Sequence, residues 1–168
     1  MSEPSEPTLE NAKDYISNME LSRIIEKMMS YQGWLKKDIL AVSNIYRNYL
    51  FLQKKYGKEY HIVPSEEVDE FWHNHILDTQ SYQKDCKNIF GYYLHHYPYF
   101  GIDEESNSED LNSAFQKTLS LYVIEFGEDS FAYRRRNIFK KTLWFIKRKI
   151  VKLKTYFNKF SQKSTLNS

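Results

Sequence analysis

Val63-Pro64-Ser65-Glu66-Glu67-Val68-Asp69-Glu70-Phe71-Trp72-His73-Asn74-His75-Ile76-Leu77-Asp78-Thr79 is the stretch on which the fold turns. Val63 precedes a proline and is therefore biased toward extended backbone. Ser65 then has the chemistry of an N-cap, and Glu66, Glu67, Asp69 and Glu70 fall where a helix dipole favours negative charge. At about 100° per residue, Val68, Phe71, Trp72, His75 and Thr79 share one broad face, and Tyr82 and Cys86 extend it. This predicts one helix from residue 66 to about Cys86, with His75 at the centre of its inward face.

The same signals recur on both sides. Upstream, Thr8 is a cap for a helix carrying Leu9, Ala12, Tyr15, Ile16 and Met19, with a break near Asn18 as one option. Leu21, Ile24, Ile25 and Met28 continue the stripe to a stop at Gly33. A helix from Trp34 or Lys36 to Gly57 shows Leu35, Ile39, Val42, Tyr46, Tyr49 and Gln53 on one side. Downstream, Ile89, Phe90, Tyr93 and Leu94 suggest a short helix or continuation that ends by Tyr97, because Pro98 follows. Ser108 is a candidate cap for a helix bearing Leu111, Phe115, Thr118, Tyr122 and Phe126. With only 5 Gly and 4 Pro in 168 residues, the chain lacks material for the many tight turns of a sandwich or barrel. The expected fold is all-α: a single compact domain of five or six helices with a basic amphipathic C-terminal helix. The expected division is a disordered leader at 1–7 and a helical domain at 8–129 with its His/aromatic motif at 63–101. The basic helix follows at 130–160 and a disordered tail at 161–168.

Composition excludes several classes. Hydrophobic residues make up 41% and charged residues 27%, which is globular usage. Cys86 is the only cysteine, so neither an intramolecular disulfide nor a multi-Cys zinc pattern is available. The polar, acidic residues 1–7 have no apolar core of a signal peptide, and no run approaches the roughly 18–20 apolar residues of a spanning helix. A cytoplasmic protein is expected, peripheral to a membrane if its basic end meets one.

That basic end stands out. The net charge of +2 divides into −10 over residues 1–129 and +12 over 130–168, where 12 Lys/Arg face no acid. Phe139, Leu143, Ile146, Ile150, Leu153, Phe157 and Phe160 form an apolar seam at intervals of four and three. Around it lie Arg134, Arg135, Arg136, Lys140, Lys141, Lys147, Arg148, Lys149, Lys152 and Lys154. The seam suits a helix docked on the acidic body, or one that meets an anionic membrane surface or an acidic protein partner. Nucleic acid ranks below these, since no motif that reads bases is present.

Chemistry concentrates in the centre, where four of the five His lie between 73 and 96. Asp69 and His73 are four residues apart and touch on a helix. His73 and His75 point about 200° apart, so one ion does not readily take both. If the following segment folds back, His95 or His96 meets His75, with Asp69 or His73 contributing, and imidazole with carboxylate suits zinc or iron. The alternative for each His is structural: an inward His75 satisfied by a carbonyl or a Tyr hydroxyl, and His95 and His96 at a helix C-terminus. Trp72, Thr79, Tyr82 and Cys86 read as the motif's core, with Cys86 a small buried residue rather than a nucleophile. Neither a nucleophile-elbow motif nor a phosphate loop occurs, so the sequence leaves open whether the protein is an enzyme.

Val63-Pro64-Ser65, Val68-Asp69, Trp72-His73-x-His75-Ile76-Leu77-Asp78-Thr79, Tyr82, Cys86, Phe90-Gly91 and His95-His96-x-Pro98 resemble the glycine-rich domain-containing protein-like family. Gly33-Trp34 and the Tyr46 to Leu52 segment extend the resemblance over roughly residues 30–101. The resemblance implies kinship with bacterial proteins and with the leading part of longer plant proteins, but this chain lacks their glycine-rich segment. It marks Asp69, Trp72, His73, His75, Tyr82, Cys86, His95 and His96 as motif positions and names no reaction. Two functions from different classes follow as expectations: an interaction module acting through its basic end, and a metal-binding protein or metalloenzyme using the histidine cluster.

Overall fold

The computed structural model describes residues 6–127. Six helices account for the architecture, with no strand among the described residues: α1 Leu9–Asn18, α2 Ser22–Gln32, α3 Lys36–Tyr56, α4 Glu66–Ile76, α5 Thr79–Ile89 and α6 Ser108–Phe126. The expected basic helix at 130–160, the ten Arg and Lys named on it and the tail at 161–168 lie outside the described residues.

Several ends follow the sequence signals. The Thr8 hydroxyl accepts from the Asn11 N–H, and Ser65 accepts from Val68. Gly33 closes α2 in the left-handed conformation at φ 74°, a geometry that costs glycine little. The cap of α6 is Asn107 rather than Ser108. Its side chain accepts from Glu109 and Asp110 while the Asp110 carboxylate accepts from the Asn107 N–H, a reciprocal capping box.

The long α3 is the central post, packed against α1, α2, α4 and α6. Its face of Ile39, Val42, Tyr46, Tyr49 and Leu50 is buried, and Leu35, just before its first turn, is exposed. The Arg47 guanidinium donates to the Ile16 and Met19 carbonyls, satisfying the open C-terminal end of α1. On the opposite flank α6 is tied down by Asn48 donating to the Tyr122 hydroxyl and by the Val63 N–H donating to Thr118.

The largest departure from the sequence reading is a break at Leu77-Asp78. Where one helix was expected to about Cys86, α4 stops at Ile76 and α5 starts at Thr79, with Asp78 at φ −87°, ψ 69° outside helical space. The reason lies in the side chains on either side. Trp72 Nε1 donates to the Tyr82 hydroxyl at 2.9 Å although the two are ten residues apart. A straight helix would separate them by about 15 Å. The break folds α4 and α5 into a hairpin that turns the shared face into two facing ones. Thr79, expected on the buried stripe, is exposed at the turn. The expected short helix after Ile89 is also absent: residues 90–107 form a non-helical connection, with Gly91 at φ 81° starting its turn away from α5.

Candidate metal centre and a buried histidine

The hairpin sorts the predicted residues into two groups. Asp69 and His73 lie one turn apart on the outer side of α4, as their spacing requires. The 90–107 connection folds back over that side and delivers His96. His96 Nε2 lies 2.8 Å from Asp69 Oδ1, and His73 Nδ1 lies 3.2 Å from Asp69 Oδ2. The two imidazole rings are 4.5 Å apart, and His96 rests at the same distance against Trp72. One nitrogen from each His and a carboxylate oxygen all fall within 4.8 Å of one another.

His73 Nδ1 also lies 2.8 Å from the Asp69 carbonyl. A carbonyl only accepts, so Nδ1 carries the proton and a neutral His73 keeps its lone pair on Nε2. Exposure grades across the cluster: the His73 side chain is 50% exposed, Asp69 35% and His96 15%. The cluster thus sits at the surface with one well-packed member and one open side.

His75 belongs to the other group. It is 1% exposed and points into the core between α3 and α5. The Tyr46 hydroxyl meets its Nδ1 at 2.8 Å, and its Nε2 faces Asp85 Oδ2 at 3.1 Å. The second contact is too bent for a hydrogen bond. Tyr15 donates to the other oxygen of Asp85 at 2.7 Å, completing a chain Tyr15–Asp85–His75–Tyr46. Burial holds the Tyr46 phenol well above the ordinary tyrosine range, and burial with the Asp85 carboxylate does the same for Tyr15.

The remaining candidates fall around these groups. His95, adjacent to His96, is exposed with its ring 4.9 Å from Tyr93, away from both groups' contacts. Tyr82 is 1% exposed and Cys86 3%, and burial raises the Cys86 thiol above its usual range, as expected of a packing residue. The fold-back therefore joins His96 to Asp69 and His73, while His75 takes a Tyr hydroxyl and Asp85. Asp85 and Tyr46 escaped the site reading. Asp85 stands in the motif, but nothing local signals that it faces His75 across the hairpin.

Fold and sites together define an all-α, single-domain protein with a surface Asp–His–His cluster and a buried histidine chain beside it. The chain belongs to the UCP032817-like family, whose model matches residues 11–124, from within α1 to near the end of α6. This corrects the glycine-rich domain-containing protein-like resemblance. The shared Trp-His-x-His and Tyr-Cys spacings describe how one helical hairpin packs, and that is too little to separate families. No curated protein and no solved structure matches the chain.

Proposed function

We propose that this protein binds a first-row divalent metal ion through Asp69, His73 and His96. The observation that carries the reading is the convergence of three ligand-type atoms within 4.8 Å, one of them brought from 27 residues away in sequence. Ligands of one ion at bonds of about 2.0–2.2 Å sit roughly 3–3.5 Å apart, so closing the site asks for shifts of about 1 Å. Two imidazoles and a carboxylate suit zinc or iron and leave coordination positions open on the exposed side of His73. His75 and His95 stand outside this ligand set. The ion would close the connection 90–107 onto α4 and present an accessible Lewis-acid face.

The test is elemental analysis and calorimetric titration of the untagged protein with Zn²⁺ and Fe²⁺. One equivalent per chain is expected, lost in His96→Ala and in His73→Ala. A wild-type protein that stays metal-free after reconstitution would end the reading.

A second reading concerns the basic end, and the charge division of −10 against +12 favours it. In it, residues 134–168 bind an anionic membrane surface or an acidic protein. Co-sedimentation with vesicles containing anionic lipid should fall as salt rises and vanish when that segment is removed. Binding that survives the truncation would count against it.

A further inference from the structure

We infer that Tyr82 is the positioning residue of this centre: by holding Leu94 it fixes where His96 meets Asp69. The inference rests on the metal reading and deepens it. His96 lies on a connection without helical hydrogen bonds, so something outside the backbone ladder must place it. Tyr82 supplies that. Its hydroxyl donates to the Leu94 carbonyl at 2.6 Å and accepts from Trp72 Nε1 at 2.9 Å. Leu94 is thereby tied to α5 through its carbonyl.

His96 is two positions on from Leu94, a reach of at most about 7 Å. With Leu94 fixed, the remaining freedom of His96 is removed by Trp72, whose ring lies 4.5 Å from the imidazole. Trp72 is itself held by the Tyr82 hydroxyl, so one oxygen governs both the tether and the wall. Packing alone would not need it, since a phenylalanine ring fills the same space. The hydroxyl is what connects α5 to the connection and to α4.

The experiment measures Zn²⁺ affinity by competition with a chromophoric chelator, alongside amide hydrogen exchange of the metal-free protein. Tyr82→Phe should weaken binding by about 10–100-fold, the range seen when the groups that orient metal ligands are removed. His96→Ala loses stoichiometric loading, but the weak residual affinity left by Asp69 and His73, read at much higher Zn²⁺, should not change when Tyr82→Phe is added, because its effect passes through His96. An equal loss in both backgrounds would mean that Tyr82 acts only on the fold, and would overturn the inference.

Hydrogen exchange gives the metal-independent arm. Because Tyr82 holds the Leu94 carbonyl it limits opening of this segment, so amide exchange at Leu94 should be slower in the wild type than in Tyr82→Phe. Wild-type exchange at Leu94 as fast as in the 102–106 loop overturns the inference whether or not the variant folds. A wild type that protects Leu94 but binds no Zn²⁺ overturns the metal reading, and with it the centre that Tyr82 would serve. One that binds Zn²⁺ with affinity indifferent to Tyr82→Phe overturns the inference alone.

Discussion

The Tyr46 hydroxyl lies 2.8 Å from His75 Nδ1 across 29 residues of sequence, with both side chains sealed from solvent. Nε2 faces the Asp85 carboxylate and so carries the ring proton, which leaves Nδ1 to accept from Tyr46. The bond to Tyr46 satisfies one of the two nitrogens of this buried imidazole, while Nε2 lies 3.1 Å from Asp85 without the alignment of a hydrogen bond.

Removing one partner should therefore cost more than the bond is worth. Tyr46→Phe leaves a buried acceptor unmet, and a loss of about 1–3 kcal/mol is expected from urea unfolding. His75→Leu should lose at least as much, since it strands the Tyr46 hydroxyl. The double variant should recover part of the sum, with a coupling of roughly 0.5–3 kcal/mol. Additive losses would show that the two groups do not act as a pair.

The two histidine groups should also respond differently to the same assay. His75→Ala should be less stable yet still take up one equivalent of Zn²⁺, because Asp69, His73 and His96 remain in contact. His96→Ala should be close to wild type in stability without metal and should fail to load. Elemental analysis beside thermal unfolding separates the cases. Loss of metal in His75→Ala, with the helices intact by circular dichroism, would place His75 in the ligand set.

How far the sequence disclosed this arrangement depends on distance along the chain. The Thr8, Ser65 and Gly33 helix ends are local chemistry and stand where the residues put them. The inward direction of His75 was legible from helical periodicity. The Asp69–His73 contact was legible from a spacing of four. The break at Leu77-Asp78 was not, because the apolar stripe runs through it without a glycine or proline. What selects the break is the meeting of Trp72 with Tyr82 and of His75 with Asp85, which only a hairpin allows. The choice of His96 over His95 as partner of Asp69 has the same origin, since the connection is placed by Leu94 and not by any periodic signal.

The tyrosines make alkaline stability a test of the core. Burial raises the phenols of Tyr46, Tyr49 and Tyr82 far above the ordinary value of 10.0. A raised folded value means that the folded chain keeps protons that the unfolded chain releases above about pH 10. Their contribution is complete below pH 10 and is lost as pH rises toward the folded values. The slope approaches about 1.4 kcal/mol per pH unit for each buried tyrosine. Urea midpoints should drift down from about pH 8.5, as the unfolded Cys86 thiol ionises, and fall steeply from about pH 10 to 11.5. Tyr49→Phe, which keeps the ring, should make that fall shallower, and an unchanged slope would mean that Tyr49 ionises freely in the folded protein.

Gly101 offers the sharpest steric test of how the connection is seated. Its φ is 90°, which side chains rarely adopt, and a Cβ placed there would come within 2.7 Å of the Leu111 Cβ on the first turn of α6. Its N–H donates to the Ser106 hydroxyl at 2.7 Å, so the backbone cannot rotate away without breaking that bond. Gly127 shares the positive φ, at 78°, but a Cβ there meets nothing within 4 Å. Strain from φ alone costs about 1–3 kcal/mol, and Gly127→Ala should fall at the low end because it follows the final turn of α6. Gly101→Ala carries the same strain together with the clash, and an overall loss of about 2–4 kcal/mol is expected. The difference between the two variants isolates the contact with Leu111. Equal losses in urea unfolding would mean that the connection can lift off α6 at no cost.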